Sequence, residues 1–232
     1  MTKTRSILAV AAVLLVIGVA FVLFFTGLAR TSAEPAAFLH DTLVVWVGIL
    51  ALPLLGERLS PWNLGAVGLL VAGQAAIGGG VGHLVANEGD ALVLGATLLW
   101  AVETVVAKRL LDRTDPADLA AVRMTVGVVV LVGYVAATGH LSELFSLDAS
   151  QVGWTVVTGL LLAAYVATWM VALSRARALD VTSVLVASVV VTSLLEVAAG
   201  HAVVDDEVLG LVLVALGTVA AVVAWPRADL AT

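Results

Sequence analysis

The chain has 232 residues; 62% are hydrophobic, only 12% are charged, and the mean hydropathy is +1.14. Soluble domains are about half apolar and about a quarter charged, so this composition excludes an ordinary water-soluble core and describes an integral membrane protein. The formal net charge of −6, without a basic patch interleaved with aromatics, gives nucleic-acid binding no support, and the lack of cysteine excludes disulfides, thiolate chemistry and Cys-ligated metals.

A spanning helix needs about 20 mostly apolar residues. Eight stretches meet that length, near 7–28, 36–55, 62–81, 90–110, 118–138, 152–173, 179–199 and 207–225. All are rich in Val, yet each is about twice the length of a barrel strand and none alternates polar with apolar. In lipid the backbone must satisfy its own polar groups, so the reading is helix throughout: an all-α membrane protein with eight transmembrane helices.

The first stretch follows Lys3 and Arg5, but it is long for a signal peptide and has no clear small-residue cleavage site, so it is read as a span. The second carries His40 and Asp41. The third ends at Gly78-Gly79-Gly80 and Gly82, a flexible helix end and not a phosphate loop, because no Gly-Lys-Ser/Thr follows. The fourth carries Trp100 and Glu103, the fifth is opened by Arg123, the sixth holds Tyr165 and Trp169, and the seventh holds Glu196 near its end. Trp62, Trp154 and Trp225 stand at span ends, where interfacial anchors belong. Gly65, Gly68, Ala72, Gly127 and Gly133 are small residues of the kind that let helices approach closely. The loops are too short for a separate soluble domain.

The charges give the orientation. With the N-terminus cytoplasmic, Lys3, Arg5, Arg58, Lys108, Arg109, Arg113, Arg123, Arg175, Arg177 and Arg227 fall inside, and only Arg30 falls outside. This positive-inside bias predicts cytoplasmic termini in a plasma or inner membrane. Glu34, Glu88, Asp90, Glu143, Asp148, Asp205, Asp206 and Glu207 give the outer side an acidic rim, read as solvated loop ends or as an attractor of cations.

A weak internal repeat is visible. Gly27-Leu28-Ala29-Arg30 and Ala33 match Ala172-Leu173-Ser174-Arg175 and Ala178 at an offset of 145, and Gly56 and Gly65 match Gly200 and Gly210. The matched helices run in opposite directions, which predicts an inverted-topology repeat of 3 + 5 helices, divided into 1–85 and 86–232.

The run Gly27-Leu-Ala-Arg-Thr-Ser-Ala33, the stretch Gly56-Glu57-Arg58-Leu59-Ser60 and Gly65 resemble the EamA-type domain of the drug/metabolite transporter superfamily. So do Gly89-Asp90, Leu99-Trp100-Ala101, Ala107-Lys108-Arg109, Asp115-Pro116 and Arg123. The resemblance covers nearly the whole chain and rests on the order and spacing of these motifs. It implies small-molecule export or import by alternating access, on a fold of ten helices in two inverted repeats of five. Against that pattern the first two helices are missing, Val44 and Ser188 stand where the family tends to place proline, and Gly200-His201 replaces the second Gly-Glu. Three accounts are open: an upstream start site, a reduced relative, or a second subunit that completes the bundle.

Ionisable groups inside spans are expensive and are functional candidates by default. Glu103 is read as the deepest carboxylate, on one helix face with Trp100, serving a substrate, a proton or a structural hydrogen bond. His40 and Asp41 line either a binding cavity or a solvated vestibule, and Glu196 is a cavity group or a snorkelling helix end. Tyr165 and Trp169, four residues apart, form a cavity wall or ordinary packing. Glu57 and Arg123 are candidates for a structural ion pair, with a plain membrane anchor as the other reading of Arg123. His201 with Asp205 and Asp206 is a weak candidate for a metal; no metal, cofactor or catalytic residue is expected.

These readings converge on a secondary transporter of small molecules, with proton coupling open and no ATP-binding motif. One alternative is an intramembrane metal-assisted hydrolase built from His40, Asp41, Glu103 and Glu196. The other is a non-transporting membrane partner. Expected partners are the bilayer, a small-molecule substrate, and a homodimer mate or helper subunit.

Overall fold

The computed structural model describes residues 3–77, 87–198, 200 and 205–228; the side chains of 3–15, 33–34, 196, 205–206 and 224–228 lie outside the description. The described residues form α1 (Lys3–Leu28), α2 (Ala33–Asp41), α3 (Leu43–Leu55), α4 (Pro61–Ile77), α5 (Glu88–Leu110), α6 (Pro116–Ala137), a short 3₁₀ turn (Leu141–Phe145), α7 (Ala149–Arg175), α8 (Ala178–Val186), α9 (Ser188–Ala198) and α10 (Asp205–Ala228). No strand occurs among them. Each of the eight apolar stretches is helical in its described residues, save short breaks and ends. Among the described residues, five segments are long and apolar enough to cross a membrane: Pro35–Leu55, Glu88–Leu110, Pro116–Ala137, Ala149–Arg175 and Ala178–Leu195. Val16–Leu28, Pro61–Ile77 and Glu207–Val223 are shorter apolar helices.

Two spans are broken. The second divides at Thr42 into α2 and α3, and the seventh at Ala187 into α8 and α9. At both breaks the backbone tightens to a three-residue turn: Val45 N–H donates to Thr42 O at 2.9 Å, and Val190 N–H donates to Ala187 O at 3.1 Å. Thr42 Oγ1 also donates back to Leu39 O at 2.6 Å and accepts from Trp46 Nε1 at 3.1 Å. A hydroxyl bonded to a preceding carbonyl in this way bends helices.

Local chemistry explains the helix ends. Asn87 and Asp90 form a reciprocal capping box at the start of α5, and Asp148 and Gln151 form one at the start of α7. Asp115 caps α6, with Pro116 in its first turn. Arg123 therefore lies two turns inside α6 instead of opening it. Gly56, at φ +70°, takes the left-handed conformation that ends α3.

Helix α5 is the most enclosed span, packed by α1, α2 and α3, whereas α7 buries only Val166, Met170 and Leu173. Glycines permit close approach between helices at several points. A Cβ on Gly73 of α4 would lie 2.7 Å from Gly210 O of α10, and one on Gly89 of α5 would lie 2.7 Å from the Arg30 backbone. Of the glycines singled out in the sequence, Gly127 faces Phe21, but Gly65, Gly68 and Gly133 have nothing within 4 Å and do not mediate close approach. The Gly78–Gly82 segment lies outside the described residues.

Polar contacts tie neighbouring helices together near their ends. At the acidic end Arg30 bonds Glu88 at 2.5 Å, and Thr31 donates to Asp90 at 2.5 Å, tying α1 to α5. At the basic end Trp62 Nε1 donates to Ala220 O at 2.8 Å, tying α4 to α10.

Candidate functional site

Trp100, Glu103, Thr104 and Ala107 follow the i, i+3, i+4, i+7 spacing that puts residues on one face of a helix, here α5. That face looks into a cavity of about 200 Å³. Phe21, Phe24 and Phe25 of α1, His40 of α2, Leu43 of α3, Arg123 of α6, and Leu162, Tyr165, Trp169 and Met170 of α7 complete the lining.

The cavity carries two opposite charges, and they neutralise each other. Arg123 donates from Nε to Glu103 Oε1 at 2.5 Å and from Nη2 to Oε2 at 3.4 Å. The side chains are 14% and 5% exposed, so the pair is withdrawn from water. The Arg123 guanidinium also lies 5.4 Å over the Phe21 ring, a cation–π contact that adds to its hold.

The remaining walls are aromatic. Phe24 and Trp100 have centroids 4.9 Å apart, His40 meets Trp100 edge-on at 5.2 Å, and Tyr165 lies 6.1 Å from Trp169. Two ring nitrogens in this cluster, His40 Nδ1 and Trp100 Nε1, are buried without a hydrogen-bond partner among the described residues. Buried polar groups are normally satisfied, so a pair of orphans lining one cavity marks a place where a ligand atom fits.

Several sequence expectations fall elsewhere. Asp41 does not join His40 in the cavity; its carboxylate accepts a hydrogen bond from Gln74 Nε2 of α4. Adjacent helical residues point about 100° apart, so neighbours in sequence part company here. Glu57 and Arg123 do not pair. Glu57 accepts from Ala178 N–H at 2.8 Å and Leu179 N–H at 3.5 Å, capping α8, while Arg123 is taken by Glu103. The Glu196 side chain, His201, and the side chains of Asp205 and Asp206 lie outside the described residues. Among the described residues, no three His, Asp or Glu side chains converge as a metal site would require.

A larger recess of about 480 Å³ opens at the basic end among Glu57, Lys108, Arg109, Asp112, Arg175 and Arg177. Most of its cations are already engaged. Lys108 Nζ donates to Leu173 O at 2.7 Å, Arg109 donates to Leu54 O, and Arg177 bonds Asp180 at 2.7 Å. Lys108 and Arg109 thereby satisfy carbonyls at the ends of α7 and α3, a capping role. The smaller cavity, with its two orphaned ring nitrogens, is the better candidate.

The profile of the EamA-like transporter family matches residues 2–79 and 87–223. The chain belongs to the EamA-like transporter family. It is a multi-pass membrane protein of a family of small-molecule transporters. No curated protein sequence matches it. Fourteen chains of solved structures do. One, titled "Crystal structure of protein", aligns with a TM-score of 0.74 at 19% identity, over 94% of this chain and 77% of that one, and so shares its fold.

In this EamA-like chain, sequence reasoning missed the Phe21, Phe24 and Phe25 wall. Their three- and four-residue spacing was the available signal. It also missed Gln74, an amide in an otherwise apolar stretch of α4.

Proposed function

We propose that this EamA-like chain is a secondary transporter whose substrate occupies the cavity between α1, α2, α5, α6 and α7. The observation that carries the reading is the pair of buried, unpartnered nitrogens, His40 Nδ1 and Trp100 Nε1, in an aromatic box of about 200 Å³. Drug-sized sites run to about 300–1,000 Å³, so the box suits a small metabolite. Because Arg123 cancels Glu103, the cavity has no net charge with which to attract a cation. The favoured substrate is flat, uncharged or zwitterionic, and bears a hydrogen-bond acceptor for Trp100. The ammonium and carboxylate of a zwitterion would replace the two halves of the ion pair.

Alternating access is supported by the matched breaks. Shifting Ala33–Asp41 by 145 residues gives Ala178–Val186, the bounds of α8; the same shift takes Thr42 to Ala187 and the Val45–Thr42 bond to Val190–Ala187. Broken helices at corresponding places are a mark of inverted-repeat transporters. The division into 1–85 and 86–232 follows from that repeat. The Lys and Arg distribution supports cytoplasmic termini, with the basic end of the bundle inside.

The test is uptake into proteoliposomes of one flat zwitterion, phenylalanine, and one flat neutral base, adenine, set against choline as the cation. Choline uptake exceeding both would overturn the substrate class. No saturable uptake of any probe would count against transport itself.

A further inference from the structure

The charge inside the cavity is balanced, but among the described residues a second carboxylate has no counter-ion. Asp41 is the last residue of α2, immediately before the Thr42 break, about 9 Å along the helix from Pro35. Its carboxylate accepts from Gln74 Nε2, and the partly buried Asp41 shares a small space with Phe38, Thr42, Val44, Leu70, Val71 and Val186. A carboxylate has about four acceptor positions, and only this one is met by an amide.

Among the described residues Asp41 makes no ion pair, and its side-chain hydrogen bond is to the neutral Gln74. Neither α3 nor α4 carries a charged residue. Just beyond α1, Arg30 is bonded to Glu88 of α5; also on α5, Asp90 caps the helix, Glu103 is held by Arg123, and Lys108 and Arg109 bond Leu173 O and Leu54 O, while the side chains of Lys3, Arg5 and Glu34 lie outside the described residues. On α8, Asp180 is held by Arg177, and His40 on α2 faces the cavity instead. An ionised carboxylate without a partner is unfavourable in hydrocarbon, so the site calls for a neutralising ion. The space beside Asp41 is only about 10 Å³ and offers no second carboxylate, too little for a metal cation with its several oxygen ligands. A proton needs no room.

Resting on the transporter reading above, we infer that Asp41 with Gln74 is a proton-binding site of the transport cycle, separate from the substrate cavity and joined to it through α2. The coupling path is short. His40, which lines the cavity, and Asp41, which meets α4, are adjacent residues on one nine-residue helix that ends at a break. Val186, which lines the same small space as Asp41, directly precedes the matching break at Ala187. Release of the proton leaves an uncompensated charge that favours water over α4. The ionised acid is also the stronger acceptor for Gln74 Nε2, so the proton sets how α4 holds α2, and His40 moves with α2. Substrate bound against His40 opposes or favours the same displacement, so proton and substrate occupancy are linked.

The test reads the proton directly, by infrared difference spectroscopy of the purified chain in lipid across a pH titration. The wild type is expected to display a protonated-carboxyl band that disappears in alkali. Asp41→Asn, which keeps the shape and a hydrogen bond to Gln74, should abolish that band, and Glu103→Gln should retain it. Gln74→Leu leaves the acid in place but removes its donor, so the band should remain and change frequency; this guards against misfolding of Asp41→Asn. A band unchanged in Asp41→Asn, or unaltered by Gln74→Leu, would overturn the assignment. In proteoliposomes holding phenylalanine or adenine, Asp41→Asn should lose accumulation driven by a pH gradient, by tenfold or more, while keeping probe-for-probe exchange. Full gradient-driven accumulation in that variant would also overturn it. If neither probe moves with the wild type, the transporter reading fails, whereas the infrared titration still decides whether Asp41 holds the proton.

Discussion

Arg123 of α6 donates to Glu103 of α5 at 2.5 Å in the cavity wall, with both side chains nearly sealed from water. Removing one partner of a buried pair strands the other charge and costs about 3–5 kcal/mol, whereas replacing both with neutral groups is often close to neutral. Glu103→Gln or Arg123→Gln alone should therefore lower thermal stability in detergent sharply, and the double variant should recover most of it. Uptake should stay lost in the double variant if the pair also meets the substrate. Equal stability of all four forms would mean that the pair is not desolvated.

Gly73 and Gly210 set the distance between α4 and α10. A Cβ at Gly73 would lie 2.7 Å from a backbone oxygen, which cannot rotate aside. Gly73→Ala should destabilise by about 1–3 kcal/mol, the usual range for overpacking. Gly68, on the same helix, has nothing within 4 Å; Gly68→Ala should be neutral or stabilising by up to about 1 kcal/mol through helix propensity. Thermal unfolding followed by loss of the monodisperse peak checks both. A reversed order would contradict the packing.

The apolar stretches were legible because span length and hydropathy are properties of the segment itself. The breaks at Thr42 and Ala187 were not: neither residue is Pro or Gly, and Ala187 has no side-chain hydrogen bond to announce it. Pro53, the residue that would have advertised a break, lies inside continuous α3. The site was half legible. Trp100 and Glu103 share a face by simple helical spacing, and that local rule carried through to the cavity. The partners of Asp41, Glu57 and Arg123 depend on which helices meet, 33, 121 and 20 residues away respectively, and spacing on one helix says nothing about that. His40 and Asp41 show the same limit: one helical step separates a cavity residue from one that meets α4.

The orientation can be tested cleanly because the chain has no cysteine. Phe145, in the 3₁₀ turn, is 85% exposed at the acidic end, and Asp112 is exposed at the basic end. In intact cells, Phe145→Cys should react with a membrane-impermeant maleimide, and Asp112→Cys should react only after permeabilisation. The expectation follows from the Lys and Arg asymmetry. Labelling of Asp112→Cys from outside would invert the topology.

Trp100 tests the cavity most selectively. Its ring packs against Phe21, Phe24 and His40, while its Nε1–H is buried without an acceptor. Trp100→Phe keeps most of the aromatic contact and removes only the donor. In the free protein this should cost little, because no hydrogen bond is lost and one unsatisfied group disappears. With substrate bound, a hydrogen bond worth about 0.5–1.5 kcal/mol is forgone, so the half-saturating concentration should rise about two- to tenfold with little change in melting temperature. Trp100→Ala, by contrast, opens a cavity and should reduce stability and uptake together by about 3–5 kcal/mol of lost packing. A Trp100→Phe protein that melts lower but takes up phenylalanine or adenine with unchanged affinity would assign Nε1 to packing, and would remove the observation on which the substrate site rests.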